Sequence, residues 1–264
     1  MRTGRMRLLC GWRLLMRAEY KGCGIYYNQI GEGRDVILLH GWGYDSSLLM
    51  PLAQFLSGFC RVTLIDLPGH GQSDEPAEPM DIYDFGGAVK CVMDALGILR
   101  ASFIGHSNGG RTILAMSREY ADCFEKLVLC GSAGVKPKRT LKYYIKVYWY
   151  KIMKNILRLP VFTQKIRERF KKGKGSEDYR RLSDVMRATF SRIVNEDLRY
   201  LLKDIKAPTL LIWGDQDDQT PPYMAQIIKD GIPDCGLVMY KGAGHYAFLE
   251  RLGQTERVLE AFLK

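Results

Sequence analysis

Short apolar runs rich in branched residues alternate with helical stretches along most of this chain, and that alternation leaves few folds open. The runs are 36–39, 61–65, 101–104, 127–129 and 209–213. Apolar at consecutive positions, they suit strands buried on both faces, as in a parallel sheet. Helical patterns fall between and after them, at 46–56, 82–96, 111–120, 222–229 and 255–263. Strand followed by helix, repeated, predicts an α/β fold with a mostly parallel central sheet flanked by helices. The chain's 264 residues are ample for one large core of this kind.

Two segments break the rhythm, and both are basic. Residues 136–192 hold 18 Lys or Arg against 4 Asp or Glu and contain nothing strand-like. The first 17 residues hold five Arg and no acid. Taking both from the 39 basic and 29 acidic residues leaves 16 and 25, so the remainder is acidic. The division predicted is a basic, poorly ordered extension over 1–17, a core over 18–135 and 193–264, and a helical basic cap over 136–192. Tyr143, Tyr144, Tyr148, Trp149 and Tyr150 decorate the first part of the cap. Positive charge there suits an anionic substrate or weak contact with an anionic membrane surface. A solvated helix face is the plain alternative.

Several classes are excluded or disfavoured. No apolar run approaches the roughly 18 residues that span a membrane. The apolar patch at 8–10 is too brief for a secretory signal. Seven cysteines, an odd number with no paired spacing, read as free thiols in a reducing, cytoplasmic setting. They form no metal-like pattern, and no cofactor is expected. Charge alone would permit nucleic acid, but no recognition motif is present, so none is expected.

The chemistry-bearing stretch is Gly105-His106-Ser107-Asn108-Gly109, set between a strand and a helix. A Gly-x-Ser-x-Gly there is the pattern of a turn that exposes a nucleophilic serine at a sheet edge. A serine hydroxyl needs an imidazole to take its proton and a carboxylate to orient that imidazole. Of four histidines, His245 follows the strand-like run 237–240 in a glycine-rich loop, where α/β sheets place functional groups. The acid is expected after the run 209–213, where Asp215, Asp217 and Asp218 are alternatives. Aspartates here also suit capping of a helix beginning near Pro222. An oxyanion needs fixed backbone N–H donors. Trp42, in His40-Gly41-Trp42-Gly43, and Asn108, directly after the serine, supply candidates. Asp66 and His70 are expected to order the loop after 61–65.

Together these pieces resemble the α/β-hydrolase superfamily over nearly the whole chain from about residue 20. The matching motifs are 38–43, Asp66 to Ser73, Gly105 to Gly110, Pro208 to Pro221, and Gly244-His245 with Glu250. The family's Trp-Gly-x-x-Asp-x-x-x-Pro maps onto Trp213, Gly214, Asp217 and Pro221, which selects Asp217. The family also carries a helical cap where 136–192 falls. Asn108 departs from the Met, Leu, Phe or Gln more usual there. The resemblance implies catalysis by Ser107, His245 and Asp217, with Trp42 and Asn108 as oxyanion donors and no metal or other cofactor. The function expected is hydrolysis of a carboxylic ester or thioester of a small acyl substrate. Carbon–carbon bond hydrolysis by the same triad is the alternative, and a ligand-binding protein without catalysis the reading from another class.

Overall fold

The computed structural model of the chain describes residues 16–137, 149 and 182–264. Eight strands form one sheet: β1 (Arg17–Tyr20), β2 (Cys23–Ile30), β3 (Arg34–Leu39), β4 (Cys60–Ile65), β5 (Ala101–His106), β6 (Phe124–Cys130), β7 (Thr209–Gly214) and β8 (Cys235–Tyr240). Their order is β1-β2-β4-β3-β5-β6-β7-β8. The β1–β2 and β2–β4 pairs are antiparallel, and every other pair is parallel. The predicted mostly parallel α/β sheet is therefore present, with an antiparallel edge the sequence did not reveal. Those first two strands alternate buried residues with half-buried or exposed ones over most of their length, so they lack the continuous apolar runs that marked the others. Arg17 already belongs to β1, where its guanidinium meets Asp74 at 2.8 Å.

Alternate residues of each central strand feed two separate cores, because side chains project to opposite faces. In β3, Ile37 and Leu39 join one cluster while Val36 and Leu38 join the other. The first core packs against α2 (Ile82–Leu96) and α3 (Asn108–Met116), with the helix Pro222–Gly231 farther along the same face. The second packs against α1 (Met50–Leu56) and the helix Leu252–Leu263. The α2 boundaries follow from local chemistry. Asp81 accepts from the N–H of Tyr83 and Asp84, Asp84 accepts in return from the N–H of Asp81, and Gly97 ends the helix at φ 68°. These are a capping box and a left-handed stop.

The helix Asp184–Asn195 runs across residue 192, where the sequence placed the end of the cap. It is tied to the core at several points. Thr189 Oγ1 accepts from the N–H of Met80 at 3.1 Å, and Arg192 donates to the carbonyl of Pro79. Phe190 packs against Trp42 with ring centroids 5.0 Å apart. Residues 1–15, 138–148 and 150–181, which include most of the predicted cap and extension, lie outside the described residues.

Among the described residues no helix is long and apolar enough to cross a membrane. The six described cysteines are free thiols, four of them buried.

Candidate active site

Because β3, β5, β7 and β8 are parallel, the loops at their C-terminal ends share one edge of the sheet. These loops, with the first residue of α3, carry Ser107, His245, the three candidate aspartates, Trp42 and Asn108.

Ser107 stands between β5 and α3 with φ 52° and ψ −109°. A serine at positive φ is a strained conformation, which the surroundings must enforce. They do so through glycine. A Cβ on Gly105 would lie 2.6 Å from the Gly109 carbonyl carbon, and one on Gly109 would run into the carbonyl of Leu39. The flanking glycines let β5, α3 and β3 approach to this distance. The Ser107 N–H donates to Cys130 O at 3.0 Å, and its carbonyl accepts from Arg111 and Ala133. The elbow is thus fixed on three sides.

The structure chooses among the three aspartates. Asp217 is buried, and its Oδ2 lies 2.8 Å from His245 Nδ1. Its Oδ1 accepts from the N–H groups of Gln219 and Thr220, at 2.9 and 2.8 Å. Burial alone would raise its pKa, but the hydrogen bonds from His245 and Thr220 outweigh it and the net shift is downward. Asp215 instead accepts from the N–H of Gly242 at 2.7 Å, holding the His245 loop, and Asp218 is exposed. The expectation that one of them caps the following helix is not met. That helix begins behind Pro221, with no side-chain cap. The Asp217 carboxylate is occupied by its own loop.

Thr220 is a site residue the sequence did not announce. Its hydroxyl donates to Asp217 Oδ2 at 2.8 Å, lies 3.0 Å from Gly131 O and 3.3 Å from His245 Nδ1. The Thr220 carbonyl accepts from the Trp213 indole at 2.6 Å. The signal was present as Thr-Pro at the end of the Trp213–Pro221 motif, but a single threonine in a loop carries little by itself.

The other three histidines are all buried. His40 Nε2 accepts from the Leu67 N–H at 2.9 Å, while its Nδ1 lies 2.8 Å from Gly41 O. Burial lowers its pKa to about 4. Its ring is therefore a neutral brace between the 40–43 loop and the loop after β4. His106 Nε2 lies 3.3 Å from the His245 carbonyl, and its ring is 4.8 Å from that of His245. Burial brings its pKa down to about 3. Asp66 accepts from the N–H of Ser46 and Gln72, and His70 Nδ1 lies 2.9 Å from Pro68 O. Both order the loop after β4.

A cavity of about 710 Å³ opens beside Ser107. Trp42 and Asn108 line it, along with Tyr44, Val135, Phe190 and Met224. Position 41 comes so close to the elbow that a Cβ there would lie 3.3 Å from Ser107 Cβ. Among the described residues, no turn or loop hydrogen bond uses the N–H of Trp42 or Asn108. Among the described residues no group of three or more His, Cys, Asp or Glu is placed to hold a metal ion.

Known proteins are similar to this chain over most of its length. A 2-hydroxy-6-oxo-6-phenylhexa-2,4-dienoate hydrolase of Comamonas testosteroni is 31% identical over 264 residues, covering 91% of each chain. The AB hydrolase superfamily protein YisY of Bacillus subtilis is 30% identical, covering 90% of this chain and 94% of its own. Among solved structures, the enol-lactonase of Burkholderia xenovorans LB400 superposes with a TM-score of 0.73 at 25% identity, over 94% of this chain and 99% of its own. The model of the alpha/beta hydrolase family matches residues 36–261. This chain is an enzyme, a hydrolase, and it belongs to the alpha/beta hydrolase family.

Proposed function

We propose that Ser107, His245 and Asp217 form a nucleophilic triad and that the bond cleaved is a carbon–carbon bond beside a ketone, in a substrate of the 2-hydroxy-6-oxodienoate kind. The 2.8 Å contact of buried Asp217 with His245 Nδ1 supports the triad. The 31% identity to a dienoate hydrolase, over nine-tenths of both chains, supports this choice of bond above the ester expected from sequence.

In this reading His245 takes the Ser107 proton as the hydroxyl adds to the ketone carbon. Asp217 fixes the imidazole tautomer and stabilises its charged form. The new oxyanion is held by the N–H groups of Trp42 and Asn108, which are fixed before reaction and need no reorganisation. Collapse breaks the carbon–carbon bond. This requires the 2-oxo tautomer of the substrate, formed by moving the enol proton to C5. The electron pair then passes through the C3–C4 double bond to the C2 carbonyl, and the fragment leaves as a dienolate that receives its proton from His245. Water, deprotonated by His245, then attacks the acyl-enzyme and releases a carboxylic acid and Ser107. Atoms balance as substrate plus one water giving an acid and a hydroxydienoate.

The test is product analysis with 2-hydroxy-6-oxo-6-phenylhexa-2,4-dienoate. Benzoate and the remaining hydroxydienoate are expected in equal amounts, and neither with Ser107→Ala. The second reading is ester or lactone hydrolysis by the same three residues, supported by the likeness to the enol-lactonase. Turnover of p-nitrophenyl esters with an inert dienoate would establish that reading instead. A folded protein whose Ser107 resists a fluorophosphonate would remove both.

A further inference from the structure

Two buried donors beside the nucleophile are not used up by the protein. Arg111 lies one helical turn beyond Ser107, and residues spaced by four share a helix face with Cβ atoms ~5–6 Å apart. Its side chain lines the same cavity, although the residue is only 5% exposed. Arg111 Nη1 donates to the carbonyls of Ile193 and Glu196, at 2.6 and 2.9 Å. Among the described residues no carboxylate lies within salt-bridge distance of it, and Asp197 and Glu196 offset its charge only from farther away. A buried cation that meets no carboxylate directly is costly. Burial lowers its pKa only to about 10, so it stays charged at neutral pH.

The second donor is Asn108, 4% exposed and lining the same cavity. Its Nδ2 is buried with no hydrogen-bond partner. Buried polar groups are almost always satisfied, and an orphan at a cavity wall calls for an explanation. The position would accept an apolar side chain without losing the backbone N–H. A carboxamide there is a cost unless something accepts from it.

We infer that Arg111 and Asn108 form an anion subsite beside Ser107, binding a carboxylate on the substrate a few bonds from the carbonyl under attack. The guanidinium supplies the charge and the fork geometry suited to a carboxylate. The carboxamide adds a neutral donor on the side nearer the nucleophile. A substrate carboxylate would satisfy both groups at once. A neutral amide or ester in its place would leave Arg111 with only the more distant Asp197 and Glu196 to offset its charge. This inference rests on Ser107 being the nucleophile of the site, which a fluorophosphonate tests separately by labelling.

Calorimetric titration of the intact protein with 5-phenylpentanoate and with 5-phenylpentanamide tests the subsite without requiring turnover. The acid is expected to bind at least about tenfold more tightly than the amide, as a charge-assisted contact implies. Arg111→Gln is expected to bring that ratio near one, and Asn108→Leu to lower it severalfold. Equal binding of acid and amide by the wild type would overturn the subsite. A ratio that persists in Arg111→Gln would also overturn it, placing the preference elsewhere, as in the basic segment 136–192. Should Arg111→Gln fail to fold, an unchanged ratio in Asn108→Leu overturns it equally. Labelling of Ser107 with no acid preference sinks the subsite alone, whereas no labelling sinks the triad.

Discussion

Ser107 combines a strained backbone with the place proposed for the nucleophile, and substitutions separate the two. Ser107→Ala removes the hydroxyl but keeps a Cβ at φ 52°. It is expected to lower turnover by at least ~10³-fold with little change in folding. Ser107→Gly loses the hydroxyl and also relieves the strain. It is expected to be more stable than Ser107→Ala by about 1 kcal/mol, read as a difference in urea midpoint. Equal stability would mean that the turn imposes no strain. Asp217→Asn leaves the shape of the site but puts a donor where His245 needs an acceptor. A fall in kcat on the order of 10⁴-fold is expected. At Asp218, which is exposed, the same change should alter kcat by less than about twofold. Loop position alone could not rank these aspartates, because all three sit in one loop after the same strand, and only the family motif pointed to Asp217. Burial and the His245 contact distinguish them, and both depend on how β8 lies beside β7.

At the scale of elements, the site rests on close approach between a strand, a helix and a neighbouring strand. Gly105→Ala places a Cβ 2.6 Å from backbone atoms of Gly109 and Gly110, which cannot swing aside as a side chain would. A destabilisation of about 3 kcal/mol is expected, lowering Tm by about 10 °C. The α2 N-terminus offers a milder comparison. Asp81→Ala removes two accepted hydrogen bonds and is expected to cost about 1 kcal/mol, with activity retained. A calorimetric scan of both variants measures the difference. The α2 boundaries, 82 and 96, were legible because the signals are local: a capping aspartate and a terminal glycine. The α3 start was not read correctly from sequence. It begins at Asn108 rather than 111, since the two glycines at 109 and 110 are poor helix formers on propensity alone. Tertiary packing overrides that propensity.

Across the whole molecule, three buried histidines link stability to acid. His40, His70 and His106 all have lowered pKa values, chiefly from burial, with His40 at about 4 and His106 at about 3. In the unfolded chain each titrates near 6.5. Below that value the unfolded state binds more protons than the folded one, so stability falls as pH drops. The loss should begin near pH 6.5 and continue to about pH 3, amounting to on the order of several kcal/mol. Asp217 acts at lower pH. Its carboxyl is depressed below 3.8 in the folded state, so its contribution is present above 3.8 and is lost as pH falls through the folded value. Urea midpoints measured from pH 7 to pH 3 check both windows. A midpoint constant between pH 7 and pH 4.5 would contradict the neutral state assigned to these histidines.

The sequence by itself determined the parallel part of the sheet, the elbow and the loops that carry the site. Each of these is written in contiguous residues: an apolar run, a Gly-x-Ser-x-Gly, a histidine behind glycines. Tertiary structure decided what depends on distant partners. It set β1 and β2 against the sheet, because their alternating pattern gains a partner only when β4 lies beside β2. It set Asp217 and Thr220 against His245, and brought Arg111 and Asn108 to one cavity wall. Sequence spacing fixes which face of a helix a residue occupies, but only the packed fold fixes which polar groups find partners there and which are left for a ligand.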